Sequence, residues 1–182
     1  MNRRDLEHLI RAAADVTDDD EIVVVGSQAV LGQFPDAPRT LRVSVEADLY
    51  PRHHPDRADI IDGAIGELSP FHSTFGYYAQ GVGPETARLP EGWESRLVAI
   101  RNENTRGVTG LCLEVHDLVV SKLIAGRDKD LAFAEEALRH HLVRRKVLQD
   151  RLAVTELPDD LREAVANRIR GLRTRRSAGS AG

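Results

Sequence analysis

Val23-Val24-Val25-Gly26-Ser27, followed twenty residues after Gly26 by Glu46-Ala47-Asp48, is the stretch on which the reading of this chain turns. The β-branched run from Ile22 to Val25 predicts a short buried strand, and Gly26-Ser27 a tight turn out of it into a short helix over 28–33. Residues 41–49 alternate, apolar at the odd positions and mostly polar at the even ones, which predicts a second strand that Pro51 brings to an end. Alternation puts Glu46 and Asp48 on one face of that strand. Two carboxylates side by side repel unless a cation joins them. Mg²⁺ suits such a pair because it prefers hard oxygen ligands and is commonly held by one or two carboxylates plus substrate phosphates, with Mn²⁺ as a substitute. Gly26 allows close backbone approach. The amides after Ser27 and the Ser27 hydroxyl would then face the phosphates of a nucleoside triphosphate.

A second dense segment runs from His116 to Leu131. Leu118, Val119, Leu123 and Ile124 recur at helical spacing, Gly126 interrupts, and Leu131, Phe133, Ala134, Ala137 and Leu138 resume the pattern. Lys122 sits in an otherwise apolar turn, where a lysine must reach solvent or find an anion. Lys122, Arg127 and Lys129 could meet a triphosphate, with Asp130 orienting a basic group or supporting the site. A surface network of ion pairs at helical spacing explains the same residues without any ligand.

The rest of the 182 residues reads as one soluble domain of mixed helix and strand. Helices are expected over 3–16, 59–65 and from 116 onward, the last opening at Pro158 and running to about Leu172. A strand is expected over 75–82 and a hairpin from 96–100 and 108–113. This divides the chain into a sheet-bearing core over 1–115, a helical part over 116–172 that completes the site, and a small basic end over 173–182 expected to be disordered. No run is apolar enough for a membrane helix, the N-terminus lacks a signal core, and Cys112 is the single cysteine, so a reducing cytoplasm is expected.

Charge is uneven. Residues 1–100 hold 9 Lys/Arg against 17 Asp/Glu, and residues 101–182 hold 16 against 12. Arg139, Arg144, Arg145, Lys146, Arg151, Arg168, Arg170, Arg173, Arg175 and Arg176 make the C-terminal helices basic, a surface that could follow RNA phosphates. A solvated helical surface is the plainer explanation. His53-His54 and His140-His141 are not read as zinc sites, because adjacent histidines on extended chain point apart and no spaced further ligand is evident. Of Tyr77 and Tyr78, alternation sends one into the core and leaves the other free to stack on a base. Ser44 shares the face of Glu46 and Asp48, so a phosphate or nucleotidyl adduct there would set an anion against the metal site and act as a switch.

At four segments the chain resembles the AbiEii-like nucleotidyltransferases, MenT-type toxins among them, of the DNA polymerase β-like superfamily, and in particular a bacterial branch known only as a domain of unknown function. The segments are Val25 to Gly32, Glu46 to Pro51, Phe75 to Gly81 and Lys122 to Asp130, and the resemblance covers about residues 20–140. It implies a minimal nucleotidyltransferase fold, an α/β (α+β) mixed sheet flanked by helices with a helical C-terminal part. It places the glycine-serine phosphate motif on Gly26 and Ser27, the metal carboxylates on Glu46 and Asp48, and the later lysine and aspartate on Lys122 and Asp130. It implies transfer of a nucleoside monophosphate from an NTP, with Mg²⁺, to an acceptor hydroxyl. For MenT-like toxins it further implies tRNA as acceptor and a cognate antitoxin as partner. Two departures stand out. The first metal carboxylate is commonly Asp and is Glu46 here, and the third carboxylate often supplied by an adjacent strand has Glu114 as its candidate. Both leave open a catalytically weak or inactive nucleotide-binding or partner-binding module of the same fold. A dinucleotide-binding scaffold is disfavoured, since no G-x-G-x-x-G follows the first strand.

Overall fold

A computed structural model describes residues 1–173. The expectation of a disordered end falls outside the described residues from position 174 on, as do Arg175 and Arg176. The elements are α1 (Arg3–Thr17), β1 (Glu21–Val24), α2 (Val30–Gln33), β2 (Glu46–Pro51), α3 (Ala58–Ile65), α4 (Pro70–Phe75), β3 (Tyr78–Gly81), β4 (Val98–Ile100), β5 (Thr109–Cys112), α5 (Val115–Ala125), α6 (Asp128–Arg139), α7 (Arg145–Ala153) and α8 (Asp159–Gly171).

The five strands form one mixed sheet in the order β3-β2-β1-β5-β4. β1 is central, antiparallel to β2 with Val23 opposite Tyr50 and parallel to β5 with Val23 opposite Leu111. β2 and β3 run parallel, joined through α3 and α4, and β4 and β5 form the expected hairpin. The α/β fold expected from the sequence is thus observed. The middle strand carries Ile22, Val23 and Val24, all buried, as strands covered on both faces require.

α1 begins at a reciprocal cap, Asn2 accepting from the Asp5 amide and Asp5 from the Asn2 amide. Its apolar stripe of Leu6, Leu9, Ile10 and Ala13 is buried. Gly110 leaves room for Ile10, since a Cβ there would overlap its side chain. Glu7 is buried too. Its carboxylate is held by Arg3, Asn102 and Asn104, which locks the β4–β5 loop onto α1. Burial alone would raise the Glu7 pKa, and these donors bring it below the ordinary value instead. Buried side chains from Leu6 to Leu172 make a continuous core that includes α5, α7 and α8.

Two strand expectations are corrected. The alternation over 41–49 does not form a strand throughout. A 3₁₀ turn at Arg39–Leu41 buries Leu41, whereas Val43 and Val45 are 77% and 46% exposed, so the odd positions do not share a packed face. The strand begins at Glu46 and runs through Pro51, which sits at its last position and needs no ladder donor there. Likewise Phe75 ends α4, Gly76 takes a left-handed conformation (φ +77°), and the strand starts only at Tyr78. No helix among the described residues is long and apolar enough to cross a membrane.

Candidate active site

Glu46 and Asp48 stand at positions one and three of β2 and open on a cleft of about 800 Å³. Ser27 also lines it, and Lys122 of α5, Arg127 at the cap of α6 and Lys129 of α6 line it with the carboxylates. The two chemically dense segments of the sequence therefore meet across one cavity. The sheet explains the meeting. β1 delivers Gly26-Ser27 beside β2, the Val25 amide donating to the Asp48 carbonyl at 3.1 Å, while β5 on the other flank of β1 leads directly into α5.

Gly26 has a specific purpose. Its φ of −75° is open to any residue, but a Cβ on it would overlap the Asp48 carboxylate. The glycine is thus the bed on which Asp48 lies. Asp48 is half-buried and its pKa is pushed up to about 6, first by burial and then by the charge of Glu46 and a hydrogen bond shared with it. Lys122 and Lys129 pull the other way. A carboxylate pair under that tension, with oxygen donors only, fits a hard divalent cation. The short helix expected over 28–33 is present, with its first turn a 3₁₀ turn. A 3₁₀ turn over Ser27–Ala29 and the four residues of α2 supply little dipole, so charge stabilisation in the cleft rests on its three cationic side chains.

Two of those cations, Lys122 and Arg127, are organised by Asp130. Its carboxylate is fully buried and accepts from Lys122 Nζ at 3.2 Å and from Arg127 Nε at 2.6 Å. Burial would raise the Asp130 pKa, but Arg127 and Lys122 hold it below the carboxylate range. Burial draws the Lys122 ammonium below its ordinary value, opposed by Asp130 and by the charge of Asp48. Lys122 Nζ also stands 4.9 Å over the Phe133 ring, a cation–π contact that keeps its stem extended toward the cleft. Gly126 ends α5 with φ +68°, reversing the chain so that Arg127 and Asp130 fold back onto Lys122. An ion-pair network is therefore present, as the plain reading of this segment held, but it is centred on a buried carboxylate, and its two cations line the cavity.

Sequence reasoning missed or misplaced several residues. Tyr78 does not stand free to stack. Its hydroxyl donates to Glu46 Oε2 at 2.9 Å, and burial together with Glu46 pushes its pKa up to about 12. Tyr77 joins an aromatic cluster with His8, Phe71 and Phe75. Ser44 caps the start of β2, its Oγ accepting from the Glu46 amide at 3.0 Å and donating to the Glu46 carbonyl at 3.1 Å. Glu114 is not a third site carboxylate. It caps α5, accepts from the His116 amide and ring, and does not line the cleft. On the side of β2 away from β1 lies β3, whose residue in register with Asp48 is Gln80, which does line the cleft. Only the register reveals Gln80; nothing in the local sequence marks it.

Outside the cleft, Asp19, Asp20 and His53 bring ligand atoms within 4.8 Å of one another, which the sequence did not anticipate from His53-His54. Asp19 is occupied with the amides of Glu21, His53 and His54 and the His53 ring, and works as a loop lock. Much of the C-terminal basicity is also spent internally. Arg168 caps the end of α5 through the Leu123 and Ile124 carbonyls, Arg145 caps α8 through Ile169, Arg170 and Leu172, and Arg151 faces buried Asp117 at 3.1 Å.

A family model described as a nucleotidyltransferase of unknown function (DUF6036) matches residues 4–167. The chain belongs to this family. The match extends over both the sheet and the helices that close the cleft, so the family's defining unit includes Lys122 to Asp130 as well as Gly26 to Asp48. Neither a curated protein nor a solved structure matches the chain.

Proposed function

We propose that this family member transfers a nucleoside monophosphate from an NTP to an acceptor hydroxyl with Mg²⁺ or Mn²⁺ bound by Glu46 and Asp48. The observation that carries this reading is the single cleft in which two carboxylates on Gly26-Ser27's neighbouring strand face Lys122, Arg127 and Lys129. Bound there, the cation would polarise the α-phosphate and help neutralise the triphosphate. Ser27 contacts the phosphates beside Gly26. Lys122, fixed by Asp130, and Arg127 and Lys129 meet the β- and γ-phosphates. The acceptor oxygen bonds to the α-phosphorus, the bond to the β-phosphate oxygen breaks, the hydroxyl proton passes to water, and pyrophosphate leaves against the three cations. Tyr78 holds Glu46, and Ser44 holds the strand beneath it.

The resemblance to AbiEii-like and MenT-like enzymes extends the proposal to an RNA acceptor such as a tRNA 3′ end, and to a toxin restrained by an antitoxin in the bacterial cytoplasm. An adduct on Ser44 would remove the proton that its hydroxyl donates to the Glu46 carbonyl, which supports Ser44 as the switch. A second reading, a nucleotide-binding module with little catalysis, is favoured by Gln80 in register with Asp48 where a third acid would stand. Incubation with each α-labelled NTP, Mg²⁺ and total RNA separates the two. Label transfer lost in Glu46→Ala/Asp48→Ala supports the enzyme, binding without transfer supports the module, and transfer that survives the double change overturns the site.

A further inference from the structure

The cleft has a second half that the phosphate chemistry does not use. From Lys129 the cavity-lining residues of α6 continue as Ala132, Phe133 and Glu136, a single helical face at i, i+3, i+4 and i+7. At 1.5 Å per residue this face leads about 10 Å away from the phosphate end. Its middle is apolar, and Val43, 77% exposed on the irregular segment before β2, lines the same cavity. Its far end is polar. Glu136 receives a hydrogen bond from Thr40 Oγ1 at 2.8 Å, pairs with Arg139, and has the His140 ring nitrogen 3.6 Å away. Among the described residues, these three partners all meet Oε2 of the carboxylate, which leaves Oε1 as an acceptor.

An apolar slot that continues a phosphate site and ends in a fixed acceptor has the chemistry of a nucleobase subsite. We infer that Glu136, fixed by Thr40, is the specificity-determining residue of the cleft, and that it selects NTPs whose base carries an exocyclic amino group over those that present a carbonyl there. This rests on the functional reading above. An amino group donates to Oε1. A base carbonyl in its place sets oxygen against oxygen and leaves both without a donor, a loss that a site built for a hydrogen bond does not recover. CTP and UTP differ only along the C4–N3 edge, an amino group beside an acceptor nitrogen in cytosine and a carbonyl beside an N–H in uracil, and serve as the test pair.

The test is competition of CTP and UTP against a fluorescent NTP analogue at saturating Mg²⁺, on the full chain, for the unchanged protein, Glu136→Gln, and Glu135→Gln as a control one residue outside the cleft face. The expected result is a preference for CTP of about 10-fold or more, as a hydrogen bond to a charged group allows. That ratio should fall to within about 3-fold in Glu136→Gln, whose amide can turn either a donor or an acceptor to the base, and should persist in Glu135→Gln. Because the readout is a ratio within one protein, a general loss of folding cannot imitate it. Equal binding of CTP and UTP by the unchanged protein, or a ratio that survives Glu136→Gln, overturns the base-reading role while leaving the phosphate site intact. If no NTP competes at all, the functional reading fails and this inference falls with it.

Discussion

Gly26→Ala offers a test of the site that needs no substrate. A Cβ at position 26 would lie 2.6 Å from Asp48 Cγ and 3.1 Å from its Cβ, and would overlap the carboxylate itself. The backbone there is unstrained (φ −75°), so the whole penalty comes from that one collision. Asp48 must swing away or the β1–β2 pair must part, an overpacking cost of about 1–3 kcal/mol. In an Asp48→Ala background the carboxylate is gone and only the contact near 3.1 Å persists, so the same change should cost under about 1 kcal/mol. A double-mutant cycle in urea should accordingly yield a coupling of about 1–2 kcal/mol. Additive costs across the cycle would refute the claim that Gly26 exists to seat Asp48.

Tyr78→Phe removes the donor to Glu46 Oε2 and leaves the ring in place; Mn²⁺ affinity measured by calorimetry should fall about 10–100-fold, and an unchanged affinity would exclude Tyr78 as support for the metal ligand. Arg168→Ala strips the α5 terminus of its cap and should cost roughly 1–3 kcal/mol in urea, with Gly126→Ala similarly destabilising because its Cβ would overlap that guanidinium at φ +68°. A cost below about 0.5 kcal/mol for Arg168→Ala would return that arginine to the pool available for RNA. His53 should titrate by NMR above its ordinary 6.5, since its hydrogen bond to Asp19 favours the charged ring, and Asp19→Asn should bring it back down. For Asp19, burial is outweighed by the His53 ring and amide donors, which hold its pKa below the ordinary 3.8. The raised His53 pKa gives stability that is complete below 6.5 and fades as pH rises through the folded value. The lowered Asp19 pKa gives stability present above 3.8 and lost as pH falls through its own folded value, so the lock is firmest between the two. A His53 midpoint at or below 6.5 would break this account.

What could be read from the chain followed from periodicity and from residue types with narrow uses. β1, the hairpin of β4 and β5, and α5 and α6 with Gly126 between them were legible because each pairs an apolar rhythm with a punctuating residue. β2 was misjudged because Leu41, Val43 and Val45 imitate alternation while only Leu41 is buried, a distinction that depends on what packs opposite. Glu46, Asp48 and Lys122 were legible as parts of one expected site; what brings them to one cavity was not, since it is β5 running parallel to β1 and feeding α5. The C-terminal arginines were legible as charge but not as contacts. Counting charges treats every guanidinium as available, whereas those of Arg145 and Arg168 are held by the carbonyls of helix ends and Arg151 by buried Asp117.

Gln80 in register with Asp48, and Glu46 as the other carboxylate, bear on how a divalent cation would reach the proposed site. Two carboxylates, one of them with its pKa raised to about 6, face three cationic side chains, so the cleft by itself attracts a free divalent ion weakly. A triphosphate changes that balance, because its oxygens complete the coordination that Mg²⁺ demands and its charge answers Lys122, Arg127 and Lys129. The longer arm of Glu46 gives its oxygens more reach and more freedom than an aspartate would have, and Tyr78 removes that freedom by holding Oε2. Metal and nucleotide should therefore bind as one unit, each strengthening the other, with the tyrosine fixing the ligand that the glutamate substitution would otherwise leave loose.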